Sequence, residues 1–352
     1  MKVTIKEVAG RAGVSIATVS RVFNDSGLVD ERTEERVRKA AQELHYVPSA
    51  LGRNLSMRKT NAIGLLLPDL FGEFFSEVIR GSDETAQQFH YHLIVSSSHS
   101  SKDEIDAALK VMSGRVDGLI IMSPHIDTHI LSANLPLHLP VVLMHCKVDG
   151  DSYDSLTTDN YGGAYGIARH MLDHHHARIA IIKGRESNID ALERLQGYRA
   201  AIAAAPRGSE VIELPGDFSE ASGYDAVRAL LRGPSRPTAI LASNDTMAIG
   251  ALSALREAGV AIPGEIALAG FDDIPIASYL SPSLTTVHIG INSLGVNAVE
   301  AVLHAIREKN NHQRRQVTLP TTLSIRESCG CAVSGMVGIA KKEVMSPAQN
   351  MA

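Results

Sequence analysis

The sequence predicts an α/β protein: an N-terminal helix-turn-helix head of three helices, a hinge helix, then two doubly wound parallel α/β lobes. Three observations predict it. Residues 1–47 contain capped amphipathic helical segments and no strand pattern, whereas from residue 62 onward apolar runs of strand length alternate with amphipathic helices. Charge is partitioned the same way: residues 1–60 hold 11 Lys and Arg against 7 acids, a net +4, so the remaining residues of a chain with net charge −5 carry −9. A basic head on an acidic body directs any polyanion to the head. At 352 residues the chain exceeds one typical domain.

The head starts with a capping box, Thr4 and Glu7, which opens a first helix whose apolar side is Val8 and Ala12; Gly13 stops it. Ser15 caps a second helix, Ile16 to Phe23, with Val19 and Val22/Phe23 turned inward. Only "AGV" separates the two, the spacing of a helix-turn-helix that presents its second helix outward. A third helix, about Glu31 to Leu44, supplies Val37, Ala40, Ala41 and Leu44 to the core. The outward positions of the second helix are Ile16, Ala17, Thr18, Ser20 and Arg21. In such a motif they reach base edges in the major groove. Arg21 suits bidentate pairing with guanine, and Ile16 and Ala17 suit a thymine methyl. Ser15, Ser20 and Asn24 suit phosphates, with Thr4 counted among the DNA-facing residues. The alternative is a plain three-helix bundle with a surface arginine.

Residues 48–60 lie between head and body. Within "YVPSALGRNLSMRKT" the apolar Ala50, Leu51, Leu55 and Met57 stand at roughly helical spacing, interrupted by Gly52. So short a helix is marginal alone, and an interior Gly costs about 1 kcal/mol against Ala. It is expected to order only when DNA and a second hinge supply contacts.

"TIKEVAGRAGVSIATVSRVFN" resembles the N-terminal signature of the LacI/GalR family of bacterial transcriptional regulators, and "HYVPSALGRNL" resembles that family's hinge. The resemblance extends to about residue 329. It implies that Ile16, Ala17 and Arg21 read operator DNA, that Leu55 wedges between base steps in the minor groove, and that Arg53 serves phosphates or groove edges. Gly52 departs from the family, which usually has Ala there.

In the body, "NAIGLLLPD", "YHLIVSSS", "VDGLIIMS" and "PVVLMH" form one strand series and "RIAIIKG", "EVIELPG", "TAILASND" and "EIALAGFDD" a second. Continuous apolar strands between helices mean parallel sheets covered on both faces. The late helix "INSLGVNAVEAVLHAIREKN" and strand "RQVTLPTTLSI" are expected to cross back, giving lobe 1 about 61–160 and 291–320, and lobe 2 about 161–290 and 321–330, within a body of 61–330. Residues 331–352, which extend past the family's usual end, are expected to be a mobile tail. The resemblance implies a periplasmic-binding-protein-like fold with a cleft between lobes and a homodimer, or a higher oligomer, on palindromic operator DNA.

Ligands of such sheets bind at the carboxyl ends of the strands. Those ends nominate Asp69, Phe74 and His145 in the first lobe and Asn188, Asp190, Arg194, Phe218, Asn244 and Asp272 in the second. Carboxylates, amides, an arginine and aromatics together suit a sugar. Arg194, Asn244 and Asp272 match family positions that contact effectors, in "RLQGY", "SND" and "GFDD"; Phe218 matches one that stacks on sugar in several members. The purine-binding branch favours an arginine where Asn188 stands, so the departure points away from a nucleobase. Asp245 and Asp159 are expected to cap helices, and one of Phe74 and Phe75 to be core.

The function expected is a sequence-specific DNA-binding repressor switched by a small effector, most simply a sugar. The alternative is a solute-binding sugar sensor without a DNA role, against which stand the head and an N-terminus without the apolar core of a signal peptide. No 18-residue apolar run suggests a membrane span. Three cysteines, Cys146, Cys329 and Cys331, do not make a disulfide framework, so a reduced cytoplasmic setting is expected. An enzyme is not expected: no P-loop or G-x-S-x-G stands in the sequence, and the glycines of "NYGGAYG" at 160–166 do not read as a dinucleotide fingerprint. No cofactor or metal is expected. "HHH" at 174–176 points in several directions, and "CGC" at 329–331 reads as a terminal surface feature.

Overall fold

The computed structural model describes residues 3–23, 28–46, 59–125, 135, 139–146, 153–205, 210–308 and 311–331. Asn24, the hinge positions 47–58 with Gly52, Arg53 and Leu55, and the tail from 332 lie outside these. The chain divides into two compact units, Met1–Ala62 with Ser113–Asp117, and the remainder.

The first unit holds α1 (Ile5–Ala12), α2 (Ile16–Phe23) and α3 (Glu31–Glu43). Glu7 accepts hydrogen bonds from the Thr4 backbone N–H and hydroxyl, at 2.6 and 2.9 Å. Gly13 ends α1 in the left-handed region at φ 64°, and the N–H of Val14 returns to the Ala9 carbonyl, as helix C-termini with glycine do. Asp30 caps α3 by accepting from the Thr33 N–H at 2.9 Å. Val8, Ala9, Ala12, Val19, Val22, Val37, Ala40 and Ala41 form a core of their own. Arg11 pairs with Glu43 at 2.8 Å and Arg36 donates to the Ala12 carbonyl, tying α1 to α3.

The second unit contains two sheets of parallel strands. The first has order β2 (His92–Ser97), β1 (Ala62–Leu67), β3 (Gly118–Met122), β4 (Val141–Met144), β5 (Asp154–Thr158), β11 (Gln316–Leu319). The second has order β7 (Glu210–Leu214), β6 (Arg178–Ile182), β8 (Ala239–Ala242), β9 (Ala267–Ala269). Inner strands β1, β3, β4 and β8 are buried throughout, while the edges β2, β7 and β11 are polar and half-exposed. That division follows from helices covering both faces of a parallel sheet and leaving only its edges wet.

Helices α4 (Glu73–Gln88), α5 (Lys102–Met112) and α10 (Ile291–Glu308) go with the first sheet, and α10 packs along α4. Helices α6 (Asn160–Asp173), α7 (Ile189–Ala203), α8 (Glu220–Arg232) and α9 (Asp245–Glu257) go with the second, in the pairs α6–α7 and α8–α9. No described helix is long and apolar enough to cross a membrane.

Two sequence expectations need correction here. "RQVTLPTTLSI" is not one strand: Pro320 has no N–H for a ladder, and the chain leaves β11 to form β12 (Thr322–Ser324) in a separate antiparallel ribbon with β10 (Thr286–His288). "NYGGAYG" forms the first turns of α6 itself, and its glycines serve packing. A Cβ on Gly163 would stand 2.8 Å from Val287 and 3.1 Å from Phe271. Asp245 does not cap α9. Asn244 does, accepting from the Met247 N–H at 2.9 Å. The buried Asp245 carboxylate accepts from Thr286 at 2.6 Å and from the Ile274 N–H at 2.9 Å, fixing the chain beyond β9. Asp159 caps α6 by accepting from the Gly162 N–H at 2.8 Å.

Candidate functional site

The second unit brings four of the nominated residues into one cluster. Arg194, on the first turns of α7, is buried; its Nε donates to Asn160 Oδ1 at 2.8 Å and its Nη1 to the Ser243 carbonyl at 2.6 Å. Nη1 also lies 3.0 Å from Asp272 Oδ1, an ion pair by distance without a directed hydrogen bond. The guanidinium carbon sits 3.9 Å from the centre of the Phe271 ring. Asp190, one turn earlier, accepts from Asn160 Nδ2 at 3.0 Å and meets His145 Nδ1 at 2.8 Å.

Local backbone explains why these groups can meet. Gly197 lets α7 approach α6: a Cβ there would stand 2.4 Å from the Tyr161 carbonyl. That approach puts Asn160 between Asp190 and Arg194. Asp272 follows β9 at φ 111°, His145 follows β4 at φ 49° and Phe218 stands at φ 76°. Left-handed backbone in non-glycine residues costs energy and gathers at ligand sites. The turn at Asp272 is held by its neighbour: Asp273 pairs with Arg326 at 2.7 Å and His288 at 2.9 Å and accepts from Ser324 at 2.8 Å.

His145 ends a strand of the first sheet and Asp190 begins a helix of the second, so their bond joins the lobes. Two more bonds do likewise: Ile189 N–H to the Pro124 carbonyl at 3.0 Å, and Ile276 N–H to Glu73 Oε2 at 2.8 Å. The cluster's charges respond to burial. Burial raises Asp272 to about 6 even though Arg194 opposes the rise. For Asp190, burial acts upward, but the charge and hydrogen bond of His145 and the charge of Arg194 prevail and hold its carboxyl below the usual range. Burial, then the charge of Asp190, pushes Glu193 up. Two of the cluster's buried polar atoms have no hydrogen-bond partner, His145 Nε2 and Asp272 Oδ1.

The remaining nominated residues divide. Asn188 caps α7 through the Ala191 N–H at 3.0 Å. Asn244, besides capping α9, donates from Nδ2 to the Phe218 carbonyl at 3.2 Å, so both ends of its side chain are engaged locally. The Phe218 ring packs over Gly184, where a Cβ would lie 2.4 Å from it. Asp69 is exposed and accepts from the Leu70 and Phe71 N–H groups. Phe74 meets Phe75 edge to face at 5.2 Å, and both rings, not one, pack against the core. The structure brings neither Asp69 nor Phe74 to the Arg194 cluster. A surface hollow lined by Lys183, Arg185, Leu192 and Arg199 lies on the opposite face of α7 and holds none of these buried groups. Sequence reasoning missed Asn160, Phe271 and Glu73. Asn160 was findable, since it stands two residues beyond the end of β5.

In the first unit, α2 exposes Ser15, Ile16, Ala17 and Arg21 and half-exposes Thr18 and Ser20. Ser15 Oγ accepts from the Thr18 N–H at 3.1 Å and meets the Thr18 hydroxyl at 2.9 Å, so these two build the cap of α2. Thr4 is exposed with its hydroxyl donated to Glu7. A helix-turn-helix with an exposed second helix, and a two-lobed body with a buried polar cluster at the junction, define a ligand-responsive DNA-binding regulator.

Comparison with known proteins agrees. Residues 4–49 match the family described as bacterial regulatory proteins, lacI family, and residues 168–329 match a periplasmic binding protein-like domain. The chain is 36% identical over 326 residues to the ribose operon repressor of Escherichia coli K12, covering 90% of this chain and 97% of that protein. It is 34% identical over 330 residues to the transcriptional repressor PurR of Photobacterium profundum, covering 92% and 98%. The lac repressor dimer bound to operator and the anti-inducer ONPF superposes with a TM-score of 0.82 at 28% identity, covering 94% and 99%. The chain belongs to the lacI family of bacterial regulatory proteins, and it is a transcriptional regulator, not an enzyme.

Proposed function

We propose that this protein is a dimeric repressor of palindromic operators, acting in the cytoplasm, whose affinity for DNA is switched by a sugar bound beside Arg194 and Asp272. The observation that carries the reading is a pair of buried polar atoms without a directed hydrogen bond, His145 Nε2 and Asp272 Oδ1, the latter only in ion-pair contact with Arg194, in a cluster that joins the lobes. Buried polar groups are otherwise nearly always satisfied, and vicinal hydroxyls both donate and accept. A sugar hydroxyl donating to the Asp272 carboxylate, and another meeting His145, would complete both. Phe218 supplies an aromatic face for ring C–H groups. Asn188 stands where a purine-binding relative favours arginine, which supports a sugar over a nucleobase.

The switch follows from the three bonds that join the lobes. An effector that engages His145 and Asp272 binds the two lobe arrangements with different affinity, and that difference is what couples it to DNA. In the head, Arg21, Ile16 and Ala17 read base edges, with Ser15, Ser20, Asn24, Arg53 and Leu55 holding the backbone and minor groove.

A panel of pentoses, hexoses, their phosphates and purine bases, screened by thermal shift and then by operator binding with and without each hit, tests the reading. A sugar that raises the melting temperature and changes operator affinity is expected. A response to purine bases alone would overturn the sugar assignment, and no response to any small molecule would overturn the switch.

A further inference from the structure

The "CGC" segment is not the surface feature its sequence suggests. Cys329 is buried, at 2% exposure, in a 3-10 turn, Glu327–Cys329. That turn is fixed by Ser328, whose hydroxyl donates to the Leu268 carbonyl at 2.6 Å and accepts from the Thr285 N–H at 2.8 Å. Gly330 follows at φ 77°, a left-handed bend that brings the chain round so both sulfurs lie on one side. Across from them stands His170, on α6, with Nε2 3.2 Å from Cys331 Sγ. One ligand atom from each of His170, Cys329 and Cys331 lies within 4.8 Å of the other two.

We propose that His170, Cys329 and Cys331 form a binding site for a thiophilic d10 cation such as Zn2+. Two thiolates and an imidazole are the donor set such ions select over oxygen ligands. Ligand atoms of a tetrahedral zinc site lie about 3.3–3.8 Å apart, given Zn–S of ~2.3 Å and Zn–N of ~2.0 Å. The side chains therefore need to move by little more than a rotamer adjustment. The fourth position of the shell is left for a water. Binding releases the thiol protons as the two S–metal bonds form; no sulfur is oxidised.

A bound ion would fasten the end of the described chain to α6, the helix that begins with Asn160 of the Arg194 cluster.

The test is a titration of the reduced full-length protein with Co2+, followed by displacement with Zn2+. One equivalent per chain is expected, with a thiolate-to-cobalt charge-transfer band that Zn2+ abolishes. Cys331→Ser and His170→Ala, both at half-buried positions that leave the metal-free melting temperature unchanged, should each weaken binding by at least the ~10–100-fold typical of losing a group that merely supports a ligand. Cys146→Ser, at a buried thiol on the far strand β4 side, should leave the band intact. No charge-transfer band at one equivalent, a band that survives Cys331→Ser, or a Cys329–Cys331 disulfide in protein kept with Zn2+ would overturn the site.

Discussion

The DNA-facing helix and the Arg194 cluster solve opposite problems. On α2 the functional side chains are exposed, contiguous in sequence and fixed by a cap, two inward valines and a phenylalanine. In the cluster they are buried, come from four separate strand ends and helix starts, and fix one another. A surface that reads a long polyanion needs only a rigid helix with its polar side outward. A site that must tell one small ligand from another, and report its arrival, needs groups whose satisfaction depends on how two lobes meet. Substitutions on α2 should therefore lose DNA affinity with little change in folding, and substitutions in the cluster should change stability and ligand response together.

Arg194→Met is expected to have the largest effect. It strips the buried Asp272 of its cation, and removing one partner of a buried pair costs about 3–5 kcal/mol; urea denaturation measures it, and a loss below about 1 kcal/mol would mean that Arg194 is not the centre of the cluster. Arg21→Ala should come next, costing about 1–3 kcal/mol of operator affinity with discrimination relaxed at one base pair, with an unchanged melting temperature. Ser15→Ala removes the α2 cap and should destabilise the head by about 1 kcal/mol, visible in the unfolding of the head's helices and small beside the first effect.

The smallest effect concerns pH. Burial raises the folded carboxyl of Asp272 to about 6, above the 3.8 of an exposed aspartate. The folded state therefore binds more protons than the unfolded state between those values, and this group's contribution to stability falls as pH rises from about 4 to 6. Asp272→Asn should remove that slope from a plot of melting temperature against pH. A slope that survives would assign it to another carboxyl, such as Asp245, which burial also raises.

Legibility in the sequence follows the same contrast. The head could be read because its caps, turn glycine and core spacing are all local, and Gly13 and Ser15 act where the pattern put them. The rule that ligands gather at strand ends found His145, Asp190, Arg194 and Asp272, but not their pairing, since His145 and Asp190 are joined by the folding of two different sheets. Asn160 looked like an ordinary first helical residue, yet it links Asp190 to Arg194. Asp245 and Asn244 exchanged roles because two adjacent cap-forming residues cannot be separated by propensity. The split of β11 from β12 depended on one proline, and "CGC" looked inert because His170 is distant in sequence.

The central claim is that the Arg194–Asp272 cluster receives the effector while α2 reads DNA, and Asp272→Asn tests it most directly. Asparagine tolerates a positive φ better than alanine and removes only the charge. Operator affinity of the variant should match the parent in the absence of effector, while the sugar that shifts the parent's affinity should shift the variant's by less than a tenth as much. A variant that answers the sugar like the parent, or one that loses operator binding without it, would contradict the account.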